Sequence, residues 1–121
     1  MNNVNENKRQ IHTSTAVAFK LGEIVFTQGI RQLLDELPYE LLLPCLIRHT
    51  NGDWGELCIE DKVANDEATR HGLRILSAYN FGGERIWVIT EGDRSVTTFL
   101  LPSEYLSMEQ GIGNDALIEH D

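Results

Sequence analysis

A chain of 121 residues is long enough for one domain with its own hydrophobic core. Its composition, 41% hydrophobic and 24% charged, is that of an ordinary globular protein and excludes a wholly disordered chain. The net charge of −9 makes nucleic-acid binding an unfavourable function, because an acidic surface repels phosphate backbones.

A strand and a short helix are predicted after a polar start. Residues 1–15 are rich in Asn and show no periodicity, so we expect a flexible arm before a single domain over residues 16–105. Residues 21–27 form a short apolar run typical of a strand. Between a capping Thr27 and a terminating Pro38, four apolar residues then recur at helical spacing: Ile30, Leu33, Leu34 and Leu37.

Two more helices are predicted in the middle of the chain. Pro44 favours the first turn of a short helix that runs to about His49 and ends near Asn51. Residues 60–71 form a third helix with acids in its first turn and basic residues in its last, and Gly72 is placed to end it. The third helix has a thin predicted apolar face: Val63, Ala64 and Ala68.

The C-terminal part has a residue pattern typical of β-strands. Residues 73–79, 85–90 and 95–101 are separated by two short turns, which predicts an antiparallel meander because parallel strands need long crossovers. The expected fold class is therefore α+β, with a short N-terminal strand and two to three helices packed on a C-terminal meander of three to four antiparallel strands. Residues 106–121 carry four acids and no Lys or Arg, which predicts an acidic tail.

The acidic charge is concentrated, which favours a protein partner as one function. Residues 53–72 contain six acidic residues against two basic ones. Such a face is either a solvated surface or a binding surface for a basic partner. Trp87 lies in an apolar strand and is expected in the core, whereas Trp54 lies in a loop and is the better surface anchor. The leading hypothesis is a non-enzymatic protein-interaction factor with this partner-binding set: Asp53, Trp54, Glu60 and Asp61.

A small ribonuclease is the alternative function. Basic and acidic side chains on a sheet cleave RNA in toxin-type domains of the RelE and barnase kind, which also place helices before an antiparallel sheet. In this alternative His49 is the base and Arg94 stabilises the phosphate, with Glu91 beside them. The competing interpretation makes Glu91 and Arg94 turn residues and His49 a charge partner of its helix end.

No motif predicts a metal or a cofactor. Cys45 and Cys58 both lie in apolar surroundings with twelve residues between them, so we expect two packed and reduced thiols. Residues 1–10 lack the apolar segment of a secretory signal, and no apolar run approaches the roughly 20 residues that cross a bilayer. The expectation is a cytoplasmic protein without membrane contact.

Several stretches resemble a known family. They are residues 49–56 (HTNGDWGE), residues 86–98 (IWVITEGDRSVTT) and residues 100–105 (LLPSEY). Together they resemble small plasmid-related proteins of bacterial plasmids and integrative elements, some of which are labelled as subunit M of a type I restriction endonuclease. The chain is too short for a modification subunit and lacks a methyltransferase cofactor loop. The resemblance therefore implies a mobile-element setting, with a role in counter-defence or plasmid maintenance.

Overall fold

The computed structural model describes residues 11–106 and 118–119, and these residues have an α+β architecture, as the sequence predicts. Within these residues, three α-helices and two 3₁₀ turns accompany one sheet. In chain order the elements are β1 (Glu23–Thr27), α1 (Gln28–Leu34), a 3₁₀ turn (Tyr39–Leu42), α2 (Leu43–Thr50), α3 (Ile59–His71), β2 (Ile75–Phe81), β3 (Glu84–Thr90), β4 (Val96–Leu100), a second 3₁₀ turn (Pro102–Glu104) and β5 (Ile118–Glu119).

The sheet is mixed, with the strand order β2-β3-β4-β1-β5. Strands β2, β3 and β4 form the predicted antiparallel meander. The expectation of a purely antiparallel sheet with the N-terminal strand outside it is wrong, because β1 joins the sheet parallel to β4, with Glu23 opposite Val96 and Phe26 opposite Phe99. The long connection through three helices and two strands supplies the crossover that a parallel neighbour requires. Strand β5 then pairs antiparallel with β1.

The helix boundaries follow the predicted signals closely. Thr27 caps α1 by accepting a hydrogen bond from the backbone N–H of Ile30 at 3.4 Å. Helix α1 ends at Leu34, before the predicted stop, because Asp35 leaves helical geometry at φ 52°; Leu37 is consequently outside the helix and half exposed. Gly72 ends α3 in the left-handed conformation at φ 65°, as predicted.

Helix α3 buries a polar face, which contradicts the predicted apolar one. Val63 is 49% exposed and Ala64 is also exposed, and only Ala68 of the predicted face is buried. The buried side of the helix instead carries Asn65, Asp66, Ala68 and Thr69. Polar side chains are tolerated there because each finds a hydrogen-bond partner.

Part of the expected N-terminal arm covers that polar face. His12 Nε2 lies 2.8 Å from Asp66 Oδ2, and Ser14 Oγ donates to Asp66 Oδ1 at 3.2 Å. The backbone N–H of Val17 donates to Thr69 Oγ1 at 3.1 Å. The segment from His12 to Val17 thus contacts α3, whereas residues 1–10 of the expected arm and most of the expected acidic tail lie outside the described residues.

Candidate functional site

His49, the predicted catalytic base, is completely buried between α2 and the sheet. Its Nδ1 lies 2.6 Å from Ser77 Oγ and its Nε2 lies 2.9 Å from Thr90 Oγ1. Thr90 Oγ1 lies 2.7 Å from Thr97 Oγ1, and Thr97 donates to the carbonyl oxygen of Leu21 at 2.7 Å. Because the single proton of Thr97 goes to Leu21, Thr90 donates to Thr97 and accepts from Nε2–H. Nδ1 therefore accepts from Ser77.

This chain of hydrogen bonds makes His49 a structural residue. Burial lowers its pKa from 6.5 to about 3, so the imidazole is neutral at physiological pH. Both ring nitrogens have partners inside the protein. A general base needs access to the proton that it removes, and His49 has none in this arrangement.

Arg94, the predicted phosphate stabiliser, binds backbone carbonyl groups instead. Its Nη1 donates to Leu73 O at 2.7 Å and to Glu91 O at 3.0 Å, and its Nη2 donates to Ala68 O at 2.8 Å. The Glu91 carboxylate forms an ion pair with Arg74 at 3.1 Å. Arg94 thereby fastens the β3–β4 turn to the C-terminal end of α3, and its φ of 61° reflects that tight turn.

The three residues of the predicted ribonuclease site do not form a cleft. The Phe19 ring lies against both His49, with ring centroids 5.5 Å apart, and Arg94, whose Cζ is 5.7 Å from the Phe19 centroid. Within the described part of the chain, no hydrogen bond or ion pair joins His49 to Glu91 or Arg94. The structure places His49 and Arg94 beside one aromatic ring but directs their polar atoms toward separate partners.

Trp54 is the largest correction to the predicted partner-binding set. It is 1% exposed, so it cannot act as a surface anchor. Its Nε1–H donates to Asp66 Oδ1 at 2.9 Å, and its ring meets His49 edge-on at 5.8 Å. A buried carboxylate accepts the indole proton, which allows the ring to enter the core. Trp87 is half buried against Tyr105 at 5.3 Å rather than in the core.

The acidic members of that set have different surroundings. Asp53 forms two hydrogen bonds with the Arg48 guanidinium, at 2.7 and 3.2 Å, and this contact holds the pKa of Asp53 below its usual range. Glu60 and Asp61 are exposed in the first turn of α3. Asp53 is exposed as well, but its charge is balanced by the Arg48 guanidinium.

Asp66 and His12 are the polar residues that sequence reasoning missed. Burial alone would raise the pKa of Asp66, but hydrogen bonds from Trp54 and His12 outweigh it and keep the pKa below its usual range. The ionised carboxylate therefore organises the interior between α3 and the N-terminal segment. A polar cavity of about 240 Å³ borders it, lined by His12, Ser14, Asn51, Gly52, Asp53, Trp54 and Lys62. No sequence pattern marks this pair, since the two residues are 54 positions apart.

The described residues contain neither a cluster of metal-binding side chains nor a helix that could cross a membrane. Over residues 11–106 and 118–119, no three or more His, Cys, Asp or Glu side chains are grouped to hold a metal ion. Cys45 is buried as expected, whereas Cys58 is exposed, which corrects the expectation of two packed thiols. In the same part of the chain, no helix is both long and apolar enough to cross a bilayer.

An apolar groove lies over β1 and β4, beside the first 3₁₀ turn and α2. Its volume is about 210 Å³, and it is lined by Ile24, Phe26, Tyr39, Glu40, Leu42, Leu43, Leu46 and Phe99. The rings of Phe26 and Tyr39 stack in it with centroids 4.6 Å apart. The segment that contributes Tyr39 and Leu43 to the groove also exposes other apolar side chains to solvent: Leu37, Leu41 and Ile47.

Comparison with known proteins gave no match to a protein family, to a curated protein or to a solved structure. No residue role is therefore transferred from a relative. The likeness to plasmid-related proteins stays a prediction from the sequence.

Proposed function

We propose that this protein is a non-enzymatic interaction factor that binds a protein partner in the apolar groove. The observation that carries the proposal is the row of exposed apolar side chains beside that groove, between residues 37 and 47. The resemblance to plasmid-related proteins supports a bacterial mobile element as the setting and the cytoplasm as the compartment. The role would be counter-defence or plasmid maintenance.

Exposed apolar area supports a binding role for the groove. Leu43 and Ile47 are each 50% exposed and lie one helical turn apart on α2. Covering a half-exposed Leu or Ile side chain contributes about 1 kcal/mol, by the area rule for apolar burial. Single exposed apolar residues are normal on protein surfaces, but several within one short segment that also lines a recess favour an interaction site.

The charges near the groove define the kind of partner. Glu40 lines the groove, and Glu23, Asp35 and Glu36 are exposed on the elements around it. The nearby Arg31 donates to Tyr39 Oη at 2.6 Å and lies over the Tyr39 ring. We therefore expect the partner to present apolar side chains flanked by Lys or Arg, since complementary charge favours the encounter.

This proposal relocates the partner surface from the acidic face of α3 to the groove. Trp54 is buried and Asp53 is paired with Arg48, so the earlier set lacks an apolar anchor. A ribonuclease role receives no support from His49 or Arg94, whose polar atoms are engaged inside the protein. In this proposal Glu60 and Asp61 only add to the negative charge of the surface outside the groove.

A matched pair of substitutions tests the proposal. Leu43→Asp places a charge in the groove, and an acid at the first position of α2 is compatible with the helix dipole. Val63→Asp is the control, because Val63 is equally exposed at 49% but lies on α3. Tagged variants of the 121-residue chain are expressed in a bacterial host, and the partner recovered with the wild type is quantified.

We expect Leu43→Asp to recover at least about tenfold less partner, which corresponds to a loss of about 1.4 kcal/mol of binding free energy. Val63→Asp should recover as much as the wild type. Thermal unfolding of all three proteins shows that they are folded. Equal recovery by Leu43→Asp and the wild type would refute the groove as the partner site.

A further inference from the structure

The apolar groove has the size of one aromatic side chain. Its volume is about 210 Å³, and the eight residues that line it all lie in the described part of the chain. Pockets that bury a whole small-molecule ligand are larger, about 300–1,000 Å³. An apolar cavity of about 150 Å³ is nevertheless large enough to bind benzene. The groove can therefore hold one ring of the Phe, Tyr or Trp type, but it is too small to bury a cofactor.

Three of the residues that line the groove are aromatic, and their rings are in contact: Phe26, Tyr39 and Phe99. The Phe26 ring stacks on Tyr39 with an interplanar angle of 19°, and its centroid lies 5.3 Å from that of Phe99. Aromatic rings attract one another in offset-stacked or edge-to-face arrangements beyond the effect of burial alone. An aromatic side chain in the groove would therefore gain more than an aliphatic one of similar size.

The walls of the groove are in place before a partner binds. Phe99 and Leu42 are each 1% exposed and belong to the hydrophobic core. Tyr39 is 40% exposed, but Arg31 donates a hydrogen bond to its hydroxyl at 2.6 Å, and its ring stacks on Phe26. A preorganised pocket avoids much of the entropy cost of ordering side chains on binding.

Glu40 is the one charged residue among the eight that line the groove. Its side chain is exposed, so its carboxylate is accessible to a cation on a residue next to the aromatic anchor. An exposed ion pair contributes little affinity by itself, but complementary charge favours one partner and one orientation over others.

We propose that the partner anchors in the groove with one aromatic side chain, and that a Lys or Arg next to that anchor pairs with Glu40. This inference rests on the proposed function of the groove and specifies which side chains the partner presents. An aliphatic anchor and recognition by charge alone are the alternatives that the experiment separates from it.

Four short synthetic peptides test the anchor and the charge separately. Three are N-acetyl-Lys-X-Lys-amides in which X is Phe, Leu or Ala, and the fourth is N-acetyl-Glu-Phe-Glu-amide. Each peptide is titrated into the isotope-labelled 121-residue chain. Binding is followed by NMR, through the chemical shifts of the backbone amides of Ile24, Phe26 and Leu46, and the same spectra show that each variant is folded.

We expect the Phe peptide to bind at least about threefold more tightly than the Leu peptide and at least about tenfold more tightly than the Ala peptide. Tyr39→Leu keeps an apolar wall but removes one ring, so it should abolish the preference for Phe over Leu. Tyr105→Leu is the matched control, because Tyr105 lies against Trp87 outside the groove, and it should leave that preference unchanged.

The charge of Glu40 is tested by the preference for the Lys-Phe-Lys peptide over the Glu-Phe-Glu peptide. Glu40→Gln should reduce that preference by about threefold, because the carboxylate next to the anchor is lost. Glu60→Gln is the matched control, because it removes one exposed acid from α3 and changes the net charge equally. It should leave the preference nearly unchanged.

Binding of the Leu peptide as tight as that of the Phe peptide would refute the aromatic anchor, and so would unchanged groove amides at the highest concentration of the Phe peptide. Equal effects of Glu40→Gln and Glu60→Gln would refute the ion pair. If Leu43→Asp still lowers partner recovery in these cases, the groove remains the partner site and only the anchor is wrong. If Leu43→Asp leaves partner recovery unchanged, the proposed function itself fails.

Discussion

Lowering the pH should destabilise this protein through His49. The side chain has a pKa of about 3 in the folded protein and an ordinary value of 6.5 in the unfolded chain. Because the folded pKa is lowered, the unfolded chain binds a proton first as the pH falls. The stability contributed by neutral His49 is therefore fully present above about pH 6.5 and is lost progressively toward pH 3.

The size of the effect follows from the difference in pKa. One pKa unit corresponds to about 1.4 kcal/mol, and a pH near 5 lies about 1.5 units below the unfolded value. Between about pH 7.5 and pH 5, His49 should thus lower the free energy of unfolding by about 2 kcal/mol. This is a large share of the total for a domain whose stability is about 5–15 kcal/mol. The carboxylates contribute to the pH dependence of stability mainly at lower pH, since their ordinary pKa values are near 4.

Urea unfolding measures this loss in the wild type and in His49→Gln. The Gln side chain cannot be protonated, so the variant should lose about 2 kcal/mol less than the wild type over the same pH interval. Its lower stability at neutral pH does not affect that comparison. Asn80→Gln is the control, because it introduces Gln at an exposed position and removes no titratable group. Equal losses in the wild type and in His49→Gln would refute the sealed, neutral state of His49.

Three substitutions test the other buried contacts by the free energy of unfolding. Trp54→Phe should cost about 2 kcal/mol, because it removes the indole donor from the buried Asp66 carboxylate. Gly55→Ala should cost at least about 3 kcal/mol, because Gly55 has φ 78° and a Cβ there would overlap a backbone carbonyl of β2, whereas Gly82→Ala in open space should cost about 1 kcal/mol. Arg94→Ala should cost about 2 kcal/mol, because three carbonyl oxygens lose a charged donor.

Matched controls separate these effects from general sensitivity. Trp87→Phe changes the same residue type at a half-buried position and should cost less than Trp54→Phe. Arg85→Ala removes an exposed guanidinium and should change the stability by less than about 0.5 kcal/mol. Costs for Trp87→Phe or Arg85→Ala as large as those for Trp54→Phe or Arg94→Ala would contradict the roles given to Trp54 and Arg94.

Local signals in the sequence located most element boundaries. The Thr27 hydroxyl, the proline in the first turn of α2 and the glycine after α3 act over three or four residues, so their effects are visible in the sequence. The meander was equally accessible, because its short turns force neighbouring strands to be antiparallel. The pairing of β1 with β4 could not be predicted, since about 70 residues separate the two strands and no local rule selects a partner at that distance.

The candidate site was harder to predict than the elements. A Trp in an acidic loop resembles a surface anchor, and only the fold brings the Asp66 carboxylate to its indole N–H. His49 resembled a base at a helix end, yet hydroxyl groups from two strands enclose it. The groove likewise combines residues from β1, β4 and α2. In each case the deciding contact joins residues far apart in the chain.

The sequence by itself determined the α+β class, the three helices, the antiparallel meander and the acidic charge, because these depend on periodicity, turn chemistry and composition. Tertiary structure alone decided that β1 lies parallel inside the sheet, that α3 buries its polar side and that Trp54 and His49 are enclosed. It also decided that the apolar groove lies over β1 and β4. The physical reason is that burial and long-range pairing are properties of neighbours in space, and a polar residue enters the core only where the fold supplies its hydrogen-bond partner.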